Sequence, residues 1–294
     1  MFIGVPQLKT NKSIQMKQIL VPTDFSENAW NALQYGLDLF HNTKCTFYLL
    51  HVNPVTGYSG TGSTIQKTSL TLKENLLNTS MGELRTWMDR IEKLPVNTKH
   101  MFFPLIHFNY FIDTVKSEVQ HKKIDLIIMG TKGATGLKKA TIGSNTGDVI
   151  TRVRCPLLAV PEDVEYTRPK EIVFPTDYQL GYDLKVLDSL IEMINMNKAV
   201  LRILHISKKG EELSQEQREN KDFLQEYLLD VDHSFHSLTG SKLETAVQCF
   251  TESRDVDMIS MVAKNLNFFQ KILFRPAVEE ISYHTKVPFL VLHE

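Results

Sequence analysis

Short, mostly apolar runs alternate with amphipathic stretches along most of the chain. The runs 17–21, 46–52 and 126–129 are mostly apolar, which predicts strands that are buried on both faces. The stretches 26–41 and 70–94 carry apolar residues every three or four positions, which predicts amphipathic helices. The predicted inner face of the second helix consists of Leu77, Met81, Leu84, Met88 and Ile91. Strands that alternate with helices in this way predict an α/β fold, with a Rossmann-like five-stranded parallel sheet flanked by helices.

The second half of the chain repeats the pattern of the first half in the same order. The matched positions are Pro22 and Pro175, His51 and His205, Asp125 and Asp257, and Pro156 and Pro288. This repetition predicts two tandem units, 16–161 and 171–294, joined by the polar linker 162–170 and preceded by an N-terminal extension, 1–15. The segment 53–69 is rich in Gly, Ser and Thr, and is therefore predicted to be a loop.

The stretch from Ile124 to Thr146 carries the clearest candidate chemistry. An apolar strand ends at Gly130, Gly133 follows, and Gly143-Ser144 opens the next helix. Glycine lets backbone N–H groups approach an anion closely, and the first N–H groups of a helix have no internal partner. This arrangement favours a phosphate site, although a flexible connector with a capped helix is the open alternative. Neither a Walker A sequence nor G-x-G-x-x-G occurs here.

The second unit lacks these glycines. Val262 stands where Gly130 would be, and Asn265, Arg275 and Pro276 replace Gly133, Gly143 and Ser144. The loop between them, 266–274, is apolar and aromatic, and proline removes one N–H donor at the helix start. We therefore expect the second unit to keep the scaffold without the phosphate site.

Four marks together resemble the universal stress protein family. They are the Pro-Thr-Asp after the first strand, the His-Val that closes the second strand, the spacing Gly130-x2-Gly133-x9-Gly143-Ser144, and the final strand that begins with x-Pro. The resemblance covers about 16–294 and is to a tandem member. It implies an ATP site in the first unit and no catalytic residue. The implied nucleotide-binding residues are Pro22, Thr23, Asp24, Val52, Met129, Gly130, Lys132, Gly133, Gly143, Ser144, Asn145 and Thr146.

The resemblance also implies a role for each part of that set. Asp24 would lie near the ribose and phosphates, or near a magnesium ion that they carry, and the Val52 backbone would meet the adenine edge. The residues from Gly143 to Thr146 would hold phosphates through N–H and hydroxyl groups. Asn145 and Lys132 depart from the family pattern, where an apolar residue and an arginine are common. Asp24 has a structural alternative, because an aspartate also stabilises a turn before a helix.

The composition indicates the class of protein and its cellular compartment. The chain has 294 residues, 42% of them hydrophobic and 23% charged, which is typical of a soluble globular protein. Its net charge of −1 gives no reason to expect a nucleic-acid or membrane partner. The odd number of cysteines, three, favours reduced thiols and a cytoplasmic location. No apolar run reaches the length of a membrane span, and the N-terminus lacks the apolar core of a signal peptide.

Three functional hypotheses follow. The first is a stress-response protein that binds ATP (or ADP or AMP) in its first unit and acts as a nucleotide-dependent regulator of an unknown protein partner. The second is a slow magnesium-dependent ATPase that uses Asp24. The third is a scaffold, or a carrier of an apolar ligand, that acts through the second unit. Since single-unit relatives dimerise through their final strands, we expect an intrachain pseudo-dimer near Leu157 and Phe289, with a further homodimer as an option.

Overall fold

A computed structural model of the chain describes residues 16–55, 63–131, 143–179, 184–208, 210–240, 242–263 and 287–293, apart from the side chains of 63–70 and 244. The first half supplies β1 (Lys17–Pro22), α1 (Glu27–Leu39), β2 (Cys45–Asn53), α2 (Ser63–Glu92), β3 (His100–Phe108), α3 (Phe111–Lys122), β4 (Leu126–Gly130), α4 (Ser144–Arg152) and β5 (Leu157–Val160). The second half supplies β6 (Glu171–Thr176), α5 (Leu184–Asn197), β7 (Val200–Ser207), α6 (Gln215–Tyr227), β8 (His233–Thr239), α7 (Leu243–Ser253), β9 (Met258–Val262) and β10 (Phe289–Leu292).

All ten of these strands form one sheet, in the order β3-β2-β1-β4-β5-β10-β9-β6-β7-β8. Pairing is parallel within each half, and the halves meet where β5 runs antiparallel to β10. Leu158 lies opposite Leu290 at this junction, which confirms the predicted pairing of the two final strands within the chain. The predicted α/β fold with two five-stranded parallel units is also confirmed.

Helices cover both faces of the sheet. One face, here called the α1 face, packs against α1, α2, α5 and α6, and its core includes Leu33, Trp87, Leu190 and Leu224. The opposite face, here called the α4 face, packs against α3, α4 and α7. Successive strand residues alternate between these faces. Within the described residues, no helix is long and apolar enough to cross a membrane.

The helix α2 differs from its prediction in two respects. It begins at Ser63, inside the segment that was predicted to be a loop. Leu77 and Met81 were expected on its inner face, yet they are 36% and 55% exposed, whereas Leu84 and Ile91 are buried as predicted. A helix of 30 residues is about 45 Å long, and a strand of nine residues is about 30 Å long. The N-terminal part of α2 therefore extends beyond the sheet, where its apolar positions meet solvent.

Candidate functional site

The strand order of the first half reverses between β1 and β4, and the edge where these two strands end is called the crevice below. The chain leaves β1 for α1 on one face and leaves β4 for α4 on the other face, and these two strands are neighbours. Their carboxyl ends bring Pro22, Thr23 and Asp24 to the same edge as Met129 and Gly130. Ligands of open α/β sheets bind in such a crevice. Five predicted site residues are therefore neighbours along this edge.

A hydrogen-bonded turn follows β1. Thr23 Oγ1 accepts the N–H of Phe25 at 2.9 Å, and Asp24 Oδ1 accepts the N–H of Ser26 at 3.1 Å. Phe25 has a φ of 64°, which the turn requires. Nδ1 of His51 donates to the Thr23 carbonyl at 2.9 Å, and its ring stacks on Phe25 with 4.4 Å between centroids. The end of β2 thus holds the turn in place.

The second half builds the same turn. Tyr178 has a φ of 56°, and its N–H donates to Thr176 Oγ1 at 3.0 Å. Asp177 Oδ1 accepts the N–H two residues later at 3.0 Å, and Nδ1 of His205 donates to the Thr176 carbonyl at 3.0 Å. Both histidines therefore act as hydrogen-bonding groups at the ends of their strands. The aspartate of each turn has a structural role, whatever else Asp24 binds.

Gly130 is required by close packing at the crevice. A Cβ at this position would lie 2.7–2.8 Å from the side-chain atoms of Asn28, which is only 6% exposed. Neither cis geometry nor a positive φ is involved here. The corresponding residue at the end of β9 is the buried Val262. The glycine therefore allows α1 to approach β4 closely.

The N-terminus of α4 faces the same edge. Gly143 is its N-cap residue, with φ −65° and ψ 155°, and its N–H donates to the Thr131 carbonyl at 2.5 Å. The buried hydroxyl of Thr146 donates to the Gly130 carbonyl at 2.8 Å. Ser144 and Asn145 are exposed. Two donors expected to meet phosphate, the Gly143 N–H and the Thr146 hydroxyl, thus already have acceptors within the protein.

Most of the donors that remain for phosphate are backbone groups. The N–H groups of Ser144, Asn145 and Thr146 belong to the first turn of α4, where no intrahelical acceptor exists. They lie at the positive end of the helix dipole, which favours an anion. The Ser144 hydroxyl adds a side-chain donor. The predicted Lys132 and Gly133 lie outside the described residues, as do Asn265, the loop 266–274, Arg275 and Pro276 of the second half.

Val52 presents its backbone to the crevice. Pro22 pairs with Leu50 at the end of the β1–β2 ladder, so Val52 extends two residues beyond it. The Leu50 carbonyl accepts from Thr23 on the β1 side, and residues two apart on a strand direct their backbone groups the same way. The backbone N–H and C=O of Val52 therefore face the space above the end of β1.

The described residues contain no group of three or more His, Cys, Asp or Glu side chains that could hold a metal ion. Asp24 is exposed and places its carboxylate at the edge of the crevice. Sequence reasoning did not find the part played by Asn28 or the stacking of His51 on Phe25. These contacts join separate elements, and no local sequence signal marks them.

The first half of the chain is similar in sequence to universal stress proteins. The model of the universal stress protein family matches residues 16–97 and 111–161. Universal stress proteins MJ0577 and MJ0531 of Methanocaldococcus jannaschii are 28% and 29% identical over 161 and 147 residues. These matches cover 50% and 49% of this chain, and 96% and 81% of the two relatives.

Solved structures also match both halves of the chain. A universal stress protein from Archaeoglobus fulgidus superposes with a TM-score of 0.62 at 16% identity, and the match covers 96% of this chain and 97% of that chain. Identity at this level shows a shared fold only. The single-unit relatives and this structure therefore agree with a duplicated arrangement of one fold.

Proposed function

We propose that the chain, whose residues 16–97 and 111–161 match the model of the universal stress protein family, binds ATP or a related adenine nucleotide in the crevice between β1 and β4. The observation that carries the proposal is the first turn of α4. Its N–H donors meet the carboxyl ends of β1 and β4 at the point where the strand order reverses.

Each part of the crevice suits one part of a nucleotide. The first turn of α4 supplies dipole and N–H donors for phosphate oxygens. The Val52 backbone offers one donor and one acceptor, which is the pattern that an adenine edge needs. Pro22 and Met129 add apolar surface below the base. Asp24 is the group that would reach a ribose hydroxyl or a magnesium ion carried on the phosphates.

The binding is proposed to be regulatory. Nucleotide occupancy would change the charge and the shape of the surface around α4 and the β1 turn, and a protein partner would thereby distinguish the bound form from the free form. The carboxylate of Asp24 already accepts a backbone N–H in its turn. The N–H donors of α4 bind an anion and activate no water by themselves, so binding without committed turnover is the function that these groups support best.

The experiment deletes one backbone donor. Ser144 is the first residue of α4, where proline is well tolerated because its N–H has no helical partner. Gly143, with φ −65° and ψ 155°, already has the conformation that a residue before proline adopts. Ser144→Pro should therefore keep the helix and lose one phosphate donor. Ser144→Ala is the matched control, since it removes the hydroxyl and keeps the N–H.

Calorimetric titration with ATP and magnesium measures the affinity of each variant. A hydrogen bond to a charged group contributes about 1.5–3 kcal/mol, so Ser144→Pro should weaken binding by about 10- to 100-fold relative to Ser144→Ala. Small molecules released by denaturing the purified protein, identified by mass spectrometry, should include an adenine nucleotide. Equal affinities for the two variants would exclude α4 as the phosphate site, and no binding to the unmodified chain would end the proposal.

A further inference from the structure

The sheet ends in two edge strands, β3 in the first half and β8 in the second half. Each of them is hydrogen-bonded to a neighbouring strand on one side only. Every second residue of an edge strand therefore directs its backbone N–H and C=O groups away from the sheet. Another strand can be added at such an edge, because these groups are obligatory donors and acceptors.

The edge of β3 is interrupted by a proline. The Lys99 carbonyl and the Asn109 N–H bond to β2, and residues two apart on a strand direct their backbone groups the same way. The odd-numbered residues of β3 therefore face inward and the even-numbered residues face outward. Pro104, the middle residue of β3, is one of the outward residues. Because proline has no N–H, it protects this edge against the addition of a strand.

The edge of β8 is uninterrupted. The Asp232 carbonyl and the Gly240 N–H bond to β7, so the even-numbered residues of β8 face inward. The outward residues are His233, Phe235, Ser237 and Thr239. Among the described residues, none forms a hydrogen bond to these outward backbone groups, and Ser237 and Thr239 are exposed. β8 also contains no proline or lysine, the residues that most often protect an edge.

We propose that β8 pairs with β8 of a second copy of this chain, antiparallel and about a two-fold axis at His236. His236 is the middle residue of β8, so this register pairs the whole strand with itself. Phe235 then lies opposite Ser237 of the second copy, and His233 lies opposite Thr239. Outward residues thus meet outward residues and exchange both N–H···O bonds. Since β8 contains no lysine, arginine or carboxylate, the pairing brings no permanent like charges together.

A second copy in this orientation matches β8 better than any arrangement that uses β3. The same two-fold operation at β3 would place Pro104 opposite Pro104 of the second copy, where neither residue has an N–H. Pairing of β8 with β3 would be head-to-tail and would repeat without closing, whereas self-pairing of β8 closes at two copies. The interface lies at the other end of the second half from β1 and β4, so it does not depend on the proposed nucleotide site.

The first test gives β8 the proline that β3 already has. Ser237→Pro removes an outward N–H that has no acceptor among the described residues, so the fold should be kept, and Ser237→Ala is the matched control that keeps the N–H. Sedimentation equilibrium of the full chain without nucleotide measures the dimer. The unmodified chain and Ser237→Ala should dimerise in the micromolar range. Ser237→Pro should raise the dissociation constant by about 10- to 100-fold, because each dimer loses two donors.

Cross-linking tests the register without a proline. Opposite residues of a non-hydrogen-bonded antiparallel pair have Cα atoms about 4.5 Å apart, within the range of a disulfide. His236→Cys, in a Cys249→Ser background that leaves only buried native thiols, should therefore give a disulfide-linked dimer on mild oxidation. Thr239→Cys in the same background is the control, because the two copies of this exposed residue lie about 20 Å apart in this register. This result decides the proposal even if Ser237→Pro fails to fold.

Several results would overturn the proposal. An unmodified chain that stays monomeric in the micromolar range would end it. Equal dissociation constants for Ser237→Pro and Ser237→Ala would place the dimer at another surface. Equal cross-linking of His236→Cys and Thr239→Cys would exclude the register, and assemblies that grow beyond two copies would show head-to-tail pairing. Because no nucleotide is present, none of these results depends on whether ATP binds.

Discussion

Substituting Gly130 with alanine tests the close packing at the crevice. The new Cβ would lie 2.7 Å from Nδ2 and 2.8 Å from both Cγ and Oδ1 of Asn28. Overpacking a core position costs about 1–3 kcal/mol. Replacing glycine also removes freedom from the unfolded chain, which stabilises by about 0.4–1 kcal/mol. The net expectation for Gly130→Ala is a loss of about 1–2 kcal/mol.

A double-mutant cycle assigns this loss to the contact. Asn28→Ala removes the three atoms that the new Cβ would meet, so the cost of Gly130→Ala should vanish in that background, with a coupling of about 1 kcal/mol or more. Urea unfolding followed by tryptophan fluorescence is the assay. The protein has two tryptophans, Trp30 and Trp87, and both lie in the first half, so the signal reports the half that contains the crevice.

The control is a glycine with open space around it. A Cβ at Gly82 in α2 would meet nothing within 4 Å, so Gly82→Ala should stabilise by about 0.5–1 kcal/mol through helix propensity. The two alanine substitutions are thus expected to change the free energy of unfolding in opposite directions. The reasoning is refuted if Gly130→Ala is neutral or stabilising, or if its cost is unchanged in the Asn28→Ala background.

Three further predictions concern stability and reactivity. Burial lowers the pKa of His293 to about 4, so between pH 6.5 and pH 4 this imidazole is protonated in the unfolded chain and neutral in the folded chain. The free energy of unfolding should therefore fall by about 3 kcal/mol as the pH drops from 6.5 to 4, and His293→Gln should flatten that slope in urea titrations. Leu290→Ala at the junction of the halves should cost about 2–4 kcal/mol in chemical denaturation, whereas Leu229→Ala, at a 73% exposed residue, should change stability by less than about 0.5 kcal/mol. An aromatic disulfide reagent should react rapidly with one thiol, that of the exposed Cys249, and Cys249→Ser should remove this rapid reaction. Cys45 and Cys155 should react slowly, because burial raises the pKa of both thiols to about 12.

The fold could be predicted from the sequence because its signals are local and repeated. Apolar runs with the length of strands alternate with amphipathic helices, and the same order recurs in the second half. The pairing of β5 with β10 was predicted from the family resemblance. The exposed part of α2 could not be predicted, because periodicity identifies the apolar side of a helix and does not reveal where the sheet beneath it ends. Leu77 and Met81 belong to that extended part.

The candidate site could be predicted in part. The glycines, the Pro-Thr-Asp turn and the helix start at Ser144 are marked in the sequence, and the structure brings the described ones to one edge. Sequence reasoning could not show that the Thr146 hydroxyl donates to Gly130 or that Asn28 packs against Gly130, because both contacts depend on tertiary structure.

The central claim is that the first half binds one nucleotide and that the second half, with the same turn, binds none. Asp24→Asn and Asp177→Asn test it as a matched pair, because each aspartate accepts the N–H two residues later and asparagine keeps that acceptor. Calorimetric titration with ATP and magnesium should give one site per chain, weakened by Asp24→Asn and unchanged by Asp177→Asn. Two sites per chain, or equal effects of the two substitutions, would contradict the account.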